Sequence, residues 1–480
     1  MTINGVGTPT APPPARLTPI AEVAPADEVA ARPAEPAPDL PAPAGVRADP
    51  DEGARDKLLR LLEELGEDRV EDLLRFGSSL KWQFRTLADG LTRQGFRVAF
   101  AEGMSCAPEV AMDGRHLVNF TPHNVLNLQS RPDVMNCFTT AARRFGLAAG
   151  GSRFGTGITR AHTDLETEFS RIVGKERAVS YASGADAAQS FVHAMTIRQS
   201  WPSDLTLDHT EVVVVLDRDV HRGWWKAAEA LDYGKRLFSF RHNDADHLDS
   251  VLHGLRGKRI VVVMESVYAG DGSVAPLSDL IGVCERHGAL SCVDDSAGFL
   301  VYGPEHRPFA AEYAGLPQAS FVLASLDRTL GLTGCVVAGP GEAITALEAL
   351  DPSPMFGGQL SPATAATATF SMRLLTATEP TLVDRYLERV TAFRAELTGA
   401  GLRVNATPSL MTSVDIGRES TAAALRDALF DRGYRAPVDV FPNAARKHAT
   451  LRLTMNAAHS DEHLHGIVAA LQELRPKLGF

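Results

Sequence analysis

Ile260-Val261-Val262-Val263-Met264 contains no polar position. A strand with one wet face alternates apolar and polar residues, so this unbroken run predicts a strand covered on both faces. The same unit recurs outward from it. Downstream, a helical pattern over residues 278–287 leads into a second apolar run at 290–293. Upstream, a helical pattern at 244–255 follows a run at 237–240. Further runs lie at 178–181, 212–216, 321–324 and 335–338. Buried strands alternating with helices predict an α/β domain with a mostly parallel seven-stranded sheet. From about residue 378 the pattern changes. A long amphipathic helix (381–399) precedes short strands at 404–405 and 412–414, a helix near 421–432, a strand at 450–454 and a last helix from Asp461. These predict a smaller α+β C-terminal domain.

Composition bounds the rest. The 480 residues suffice for two or three domains, and 44% hydrophobic with 22% charged residues is globular. A net charge of −11 argues against nucleic acid or an anionic membrane surface as partner. The five cysteines (106, 137, 284, 292 and 335) are scattered and never form C-x-x-C, which argues against a disulfide framework and a metal site. No apolar run reaches the roughly 18 residues of a membrane span. The N-terminus has no apolar signal core, so the chain reads as cytoplasmic. Residues 1–48 are rich in Pro and Ala and predict a disordered tail. The segment 49–117 is expected to be helical, with apolar stripes at Leu58, Leu59, Leu61, Leu62 and Leu65, then Val70, Leu73, Leu74 and Phe76. Those stripes suit packing on the body or a dimer partner, or docking of an acyl-carrier protein. The large domain is placed at 118–375 and the small one at 376–480.

Polar residues cluster where the apolar runs end. Ser183-Gly184-Ala185 follows the run at 178–181 and opens a helix, whose N-terminal amides attract phosphate. Asp217-Arg218-Asp219-Val220-His221, Asp294-Asp295-Ser296-Ala297-Gly298 and Ser325-Leu326-Asp327-Arg328-Thr329-Leu330-Gly331 follow three other runs.

In order, these motifs resemble those of the α-oxoamine synthase family. Gly150-Gly151-Ser152-Arg153, then Thr159, His162 and Leu165-Glu166, is similar to the family's G-G-S-R and T-x-x-H-x-x-L-E. Asn119-Phe120 and Asn124-Val125-Leu126 resemble an N-aromatic and an N-Y-L-G segment. Glu265-Ser266-Val267-Tyr268-Ala269-Gly270-Asp271-Gly272, with Ala275-Pro276-Leu277, is similar to E-G-V-F-S-M-D-G-x-x-A-P-L. Arg452, with Ala457-Ala458-His459, matches the second arginine of R-L-R-x-x-x-x-A-A-H. The resemblance spans about residues 118–471. It implies an aspartate-aminotransferase-like fold (fold type I), dimers with the site at the subunit boundary, and condensation of an amino acid with an acyl thioester of CoA or a carrier protein. It also implies roles. Ser183, Gly184 and Ala185 lie by the phosphate of pyridoxal phosphate, Ser325 is a further cofactor-binding residue, His221 stacks on the ring and Asp294 pairs with the ring nitrogen. Arg452, Asn124 and Arg153 are expected at the substrate, with Arg452 gripping its carboxylate.

The departures concern chemistry. The family's Schiff-base lysine corresponds to Arg328, and a guanidinium stays protonated and cannot form that imine. Ala297 stands for a histidine, Ala269 for a serine, and Gly357-Gly358 for the hydroxyls of F-S/T-S/T-x-x-P-P. Three readings follow. In the first, a divergent acyltransferase joins an acyl thioester to an amine or amino acid. Pyridoxal phosphate is then held non-covalently or is absent, with His221 as general base, Arg328 as anion binder and Asp327 as its partner. In the second, the chain is a non-catalytic subunit of a heterodimer with an active homologue rather than a homodimer. In the third, it is an ordinary cofactor-dependent condensing enzyme using another lysine. A buried Asp294 also needs a cation, for which Arg328 is the expected candidate in the absence of cofactor.

Overall fold

The computed structural model describes residues 101–480 except 122, 201–205, 351, 441–443 and 445. The expected tail at 1–48 and the leucine-rich helices of 51–92 lie outside the described residues. The expectation of helix as far as residue 117 is corrected. This stretch ends in a hairpin of β1 (Glu109–Met112) and β2 (Arg115–Asn119). Its two turn residues, Asp113 and Gly114, have φ of 50° and 71°. Such a turn matches the twist of the strands it joins, and Asp-Gly is among its preferred sequences.

α1 (Pro132–Phe145) and α2 (Arg160–Val173) lead into the main sheet. The order is then β3 (Arg177–Tyr181), α3 (Gly184–Ala194), a small β4–β5 ribbon (Arg198–Ser200, Thr206–Asp208), β6 (Val213–Asp217), α4 (Arg222–Ala227), β7 (Leu237–Phe240), α5 (Ala245–Gly254), β8 (Ile260–Glu265), α6 (Leu277–Arg286), β9 (Leu290–Asp294), α7 (Ala310–Tyr313), β10 (Phe321–Ser325) and β11 (Cys335–Gly339). The seven-stranded sheet runs β3-β11-β10-β9-β8-β6-β7. Only β11 is antiparallel to its neighbours. All seven apolar runs became its strands. Along β8, Ile260, Val262 and Met264 join one hydrophobic cluster, while Val261 and Val263 join the other. The period-2 pleat thus feeds two cores from one strand. Burying each such side chain contributes about 1.5–3 kcal/mol, against about 0–1 kcal/mol for an exposed ion pair. The cores, not surface charge, hold the sheet.

α8 (Gly341–Leu350), α9 (Pro352–Phe356), α10 (Pro362–Arg373), α11 (Thr381–Gly399), β12 (Met411–Gly417), α12 (Glu419–Asp431), β13 (Tyr434–Arg435), β14 (Val438–Asp439), β15 (Ala449–Thr454) and α13 (Asp461–Leu478) complete the chain. β12, β15 and β14 form a second, antiparallel sheet. β13 pairs with β2, so the opening hairpin is stitched to the C-terminal part. The expected boundary near residue 375 falls in a π-helical turn, Leu374–Thr378, and one hydrophobic cluster continues across it.

Arg153 illustrates how the glycine-rich loop is anchored. Its buried guanidinium meets Glu166 at 2.8 and 2.9 Å and Glu348 at 2.6 Å. Glu166 also accepts the Ser180 amide and hydroxyl at 2.9 and 2.8 Å, which ties α2 to β3. The guanidinium is thus engaged by two interior carboxylates, against the expectation of a substrate contact. Arg153→Met strands those carboxylates and is expected to cost about 3–5 kcal/mol in urea unfolding. A loss below about 1 kcal/mol would remove the network from the account of stability.

Candidate active site

The parallel strands β3, β6, β8, β9 and β10 point their carboxyl ends the same way, the usual place for a ligand in an open α/β sheet. There the side chains enclose a cavity of about 260 Å³. Its ionisable lining is His123, His221, Glu265, Asp294, Asp327 and Arg328, with Gly184, Ala185, Trp224 and Ser325 among the other walls.

The loop after β10 fixes the most unusual of these groups. The Arg328 carbonyl accepts the amides of Asn124 and Val125 at 2.8 and 2.9 Å. Thr329 Oγ1 donates to the Phe299 carbonyl at 2.9 Å, and Leu326 and Leu330 are fully buried. Gly331 has φ +70°, and a Cβ there would lie 2.6 Å from Asn124 Oδ1. A side chain at 331 would therefore clash as well as strain the backbone. Asn124 is itself fully buried, with its side chain on Cys106 and the Gln129 amide. It clamps the loop and does not line the cavity, which differs from its expected substrate role.

Side-chain partners also differ from expectation. Among the described residues no ion pair within 4.0 Å joins Arg328 to Asp294 or to Asp327. Asp294 Oδ2 accepts the indole N–H of Trp224 at 2.8 Å, and Oδ1 accepts the Ser296 amide at 3.1 Å. Asp327 Oδ2 lies 2.6 Å from His123 Nδ1. Burial opposes ionisation of Asp327. The His123 bond and the charges of His123 and Arg328 prevail, and hold it down to about 2. Among the described residues the Arg328 guanidinium has one hydrogen-bond partner, the Met411 sulfur at 3.8 Å. Its charge acts on Asp439 and on Arg452. Arg452 is not among the lining residues of the cavity and lies 3.4 Å from Asp439 Oδ2. Burial pushes the Asp439 carboxyl up, against the pull of the two arginines.

His221 lies at the mouth. Its Nδ1 accepts the Gly223 amide at 3.1 Å, so the neutral ring carries its proton on Nε2. In this geometry Nε2 is a donor, which corrects the expectation of a general base. The His221 amide in turn donates to Glu265 Oε1. Burial and the Asp294 charge push the Glu265 carboxyl well above the ordinary range, favouring the neutral acid. Ser183 caps α3 by accepting the Asp186 amide at 3.1 Å, while Gly184 and Ala185 face the cavity.

Pyridoxal phosphate would ask three things of these residues. Asp294 offers a carboxylate for the ring nitrogen, and the N-terminus of α3 offers amides for the phosphate. An amine for the aldehyde is missing, since no lysine lines the cavity among the described residues. Lys175 is spent on the carbonyls of Pro317 and Ala319, and Lys226, Lys235, Lys258 and Lys477 on surface carboxylates. Among the described residues, donors suited to the ring nitrogen and the phosphate are present, and no lysine faces the place of the aldehyde. Asp186, in the first turn of α3, weakens the fit by setting a carboxylate near the phosphate amides.

Residues 115–471 match the family model described as aminotransferase class I and II. That defines the class. The chain is 30% identical to 8-amino-7-oxononanoate synthase of Hahella chejuensis over 370 residues, covering 77% of this chain and 90% of the relative. It is 30% identical to 8-amino-7-oxononanoate synthase of Azoarcus sp. over 404 residues, covering 83% and 98%. A serine palmitoyltransferase structure from S. paucimobilis, a lysine-to-alanine variant with a bound PLP–myriocin aldimine, superposes with TM-score 0.73 at 23% identity, covering 84% and 99%. The chain belongs to the α-oxoamine synthase family, acyltransferases with the fold type I architecture. That family depends on pyridoxal phosphate.

His123, Trp224 and Asp439 escaped the sequence reading. His123 adjoins the Asn124 motif and Trp224 follows His221 by three, but neither has a motif position of its own. The Asp327 carboxyl titrates below its usual 3.8, so its stabilising effect is complete above about pH 4 and is lost as pH falls toward about 2. His123→Gln removes the imidazole bond and charge that outweigh burial, and the carboxyl should then titrate closer to 3.8 by ¹³C NMR. An unchanged midpoint would mean that the pair does not hold Asp327 ionised.

Proposed function

We propose that this cavity transfers an acyl group from a thioester of CoA or a carrier protein to an amine or amino acid, without a lysine-bound cofactor. Arg328 carries the reading. It takes the motif position of the family lysine, and among the described residues its guanidinium has no ion-pair partner and no lysine lines the cavity. An arginine there cannot exchange imines or shuttle a proton, but it can hold an anion.

The division of labour follows from charge. Arg328, with Arg452 near enough to feel its charge, attracts the substrate carboxylate, and the single carboxylate of Asp439 only partly offsets their charge. His221 Nε2–H, at the mouth, donates to the thioester carbonyl oxygen as it gains negative charge. Glu265, as the neutral acid, adds no charge against that oxygen. Asp294, satisfied by the neutral Trp224 N–H, keeps its charge for a cationic ring. When bound non-covalently, pyridoxal phosphate supplies an electron sink. The assembly proposed is a dimer, of two copies or with a homologue.

Two measurements test this. Borohydride reduction with pyridoxal phosphate is expected to leave the wild-type chain unmodified and to fix a pyridoxyl group on residue 328 in Arg328→Lys, read by peptide mass. A pyridoxyl group on any native lysine of the wild type would overturn the reading. Incubation of the wild type with octanoyl-CoA and a panel of amino acids, with pyridoxal phosphate present and absent, is expected to release thiol and give a new acylated product by mass spectrometry. Activity appearing only in a mixture with a homologue would favour the partner-subunit reading instead.

A further inference from the structure

The loss of a lysine removes a proton carrier as well as a cofactor anchor. Arg328 cannot replace it, and His221 presents an N–H rather than a lone pair. The cavity holds a second imidazole with the opposite arrangement. His123 Nδ1 lies 2.6 Å from Asp327 Oδ2, and the carboxylate is the ionised form. A carboxylate can only accept, so the proton sits on Nδ1 and the neutral ring bears its lone pair on Nε2. Both residues line the cavity, and nothing among the described residues bonds Nε2. The His123 side chain is 46% exposed and that of Asp327 35%, so the ring is reachable from the cavity.

We infer that His123 is the proton-transfer base of this site and that Asp327 is its positioning residue. The inference rests on the acyl-transfer reading above. The proton on the nucleophilic atom of the amino substrate passes to Nε2 while that atom's electron pair attacks the thioester carbonyl carbon. The new bond to the acyl carbon forms, the C–S bond breaks, and the imidazolium returns its proton to the leaving thiolate. Asp327 holds the ring in the tautomer that accepts and offsets the imidazolium charge during the step. The charge of Arg328, next in the chain, also favours the ionised Asp327, and Cys335 lies near enough to sense the Asp327 charge. The buried Cys335 thiol is pushed well up, so it stays neutral and does not compete for the proton.

Two readouts decide it, one independent of turnover. In ¹⁵N-histidine-labelled wild type, at a pH where the ring is neutral, the His123 resonances are expected to report a protonated Nδ1 and a bare Nε2, a pattern lost in Asp327→Asn. Diethylpyrocarbonate is expected to modify His123 several-fold faster in wild type than in Asp327→Asn. An Nε2–H tautomer in wild type, or equal modification rates, overturns the inference whether or not a substrate has been found. With octanoyl-CoA and glycine as probes, His123→Gln should release thiol about 10²-fold more slowly. His123→Ala should regain part of the rate on adding imidazole, which a collapsed loop would not do. Wild-type rates in His123→Gln overturn the base assignment and leave the acyl-transfer reading standing. Pyridoxyl trapping on a native lysine overturns that reading without touching the tautomer result.

Discussion

The site hangs on one carbonyl. The Arg328 C=O takes two amides, from Asn124 and Val125, and so locks the loop after β10 to a segment two hundred residues earlier in the chain. Asn124 reaches this position with φ of 72°, a left-handed conformation that asparagine tolerates better than most residues. The turn aims the preceding residue, His123, at Asp327. The same bonds hold Arg328 on the cavity wall. Asn456 Nδ2 donates to the Asn124 carbonyl at 2.8 Å, so the C-terminal part braces the clamp as well. Each of these bonds is worth only about 1 kcal/mol net. Their effect on geometry is larger, because they decide which side chains meet.

Charge inside the cavity follows from that geometry. Three carboxyl groups, Glu265, Asp294 and Asp327, line the wall with one guanidinium. Three charged acids packed together would repel strongly, and the structure relieves this in three ways. Glu265 is driven toward the neutral acid, Asp327 is matched by His123, and Asp294 is satisfied by neutral donors. A neutral indole N–H fills a lone pair without cancelling the charge. Asp294 and Arg328 therefore face the cavity as separate, uncancelled charges of opposite sign. A substrate or cofactor carrying both a cation and an anion would meet complementary groups without first breaking an internal pair.

The fold was legible because it rests on a strong, repeated signal. Seven short apolar runs between helical patterns became seven strands, for each strand is buried on both faces. The β1–β2 hairpin was missed although Asp113-Gly114 is a turn sequence with a mechanism; the exposed Glu109, Arg115 and His116 diluted its apolar pattern. The candidate site was legible at the level of motif and illegible at the level of partners. Arg153 looked like a ligand group because it follows a glycine-rich run, yet two interior carboxylates claim it. Asp327 looked like the partner of its neighbour Arg328. The Asp327 carboxylate instead meets His123, from a segment about two hundred residues earlier in the chain.

Orientation, not residue type, separates the two cavity histidines. Each could serve as acid or base near neutrality in isolation. His221 caps α4, and a cap must accept from the helix amides, so its Nδ1 lone pair is committed and its Nε2 carries hydrogen. His123 meets a carboxylate, so its Nδ1 carries hydrogen, and in the neutral ring its Nε2 is bare. One ring is therefore built to donate and the other to accept. A site whose described wall offers an arginine and no lysine needs both functions from other residues, since a guanidinium supplies charge but no exchangeable lone pair. The two backbone contexts, a helix N-terminus and a clamped turn, provide them from the same amino acid.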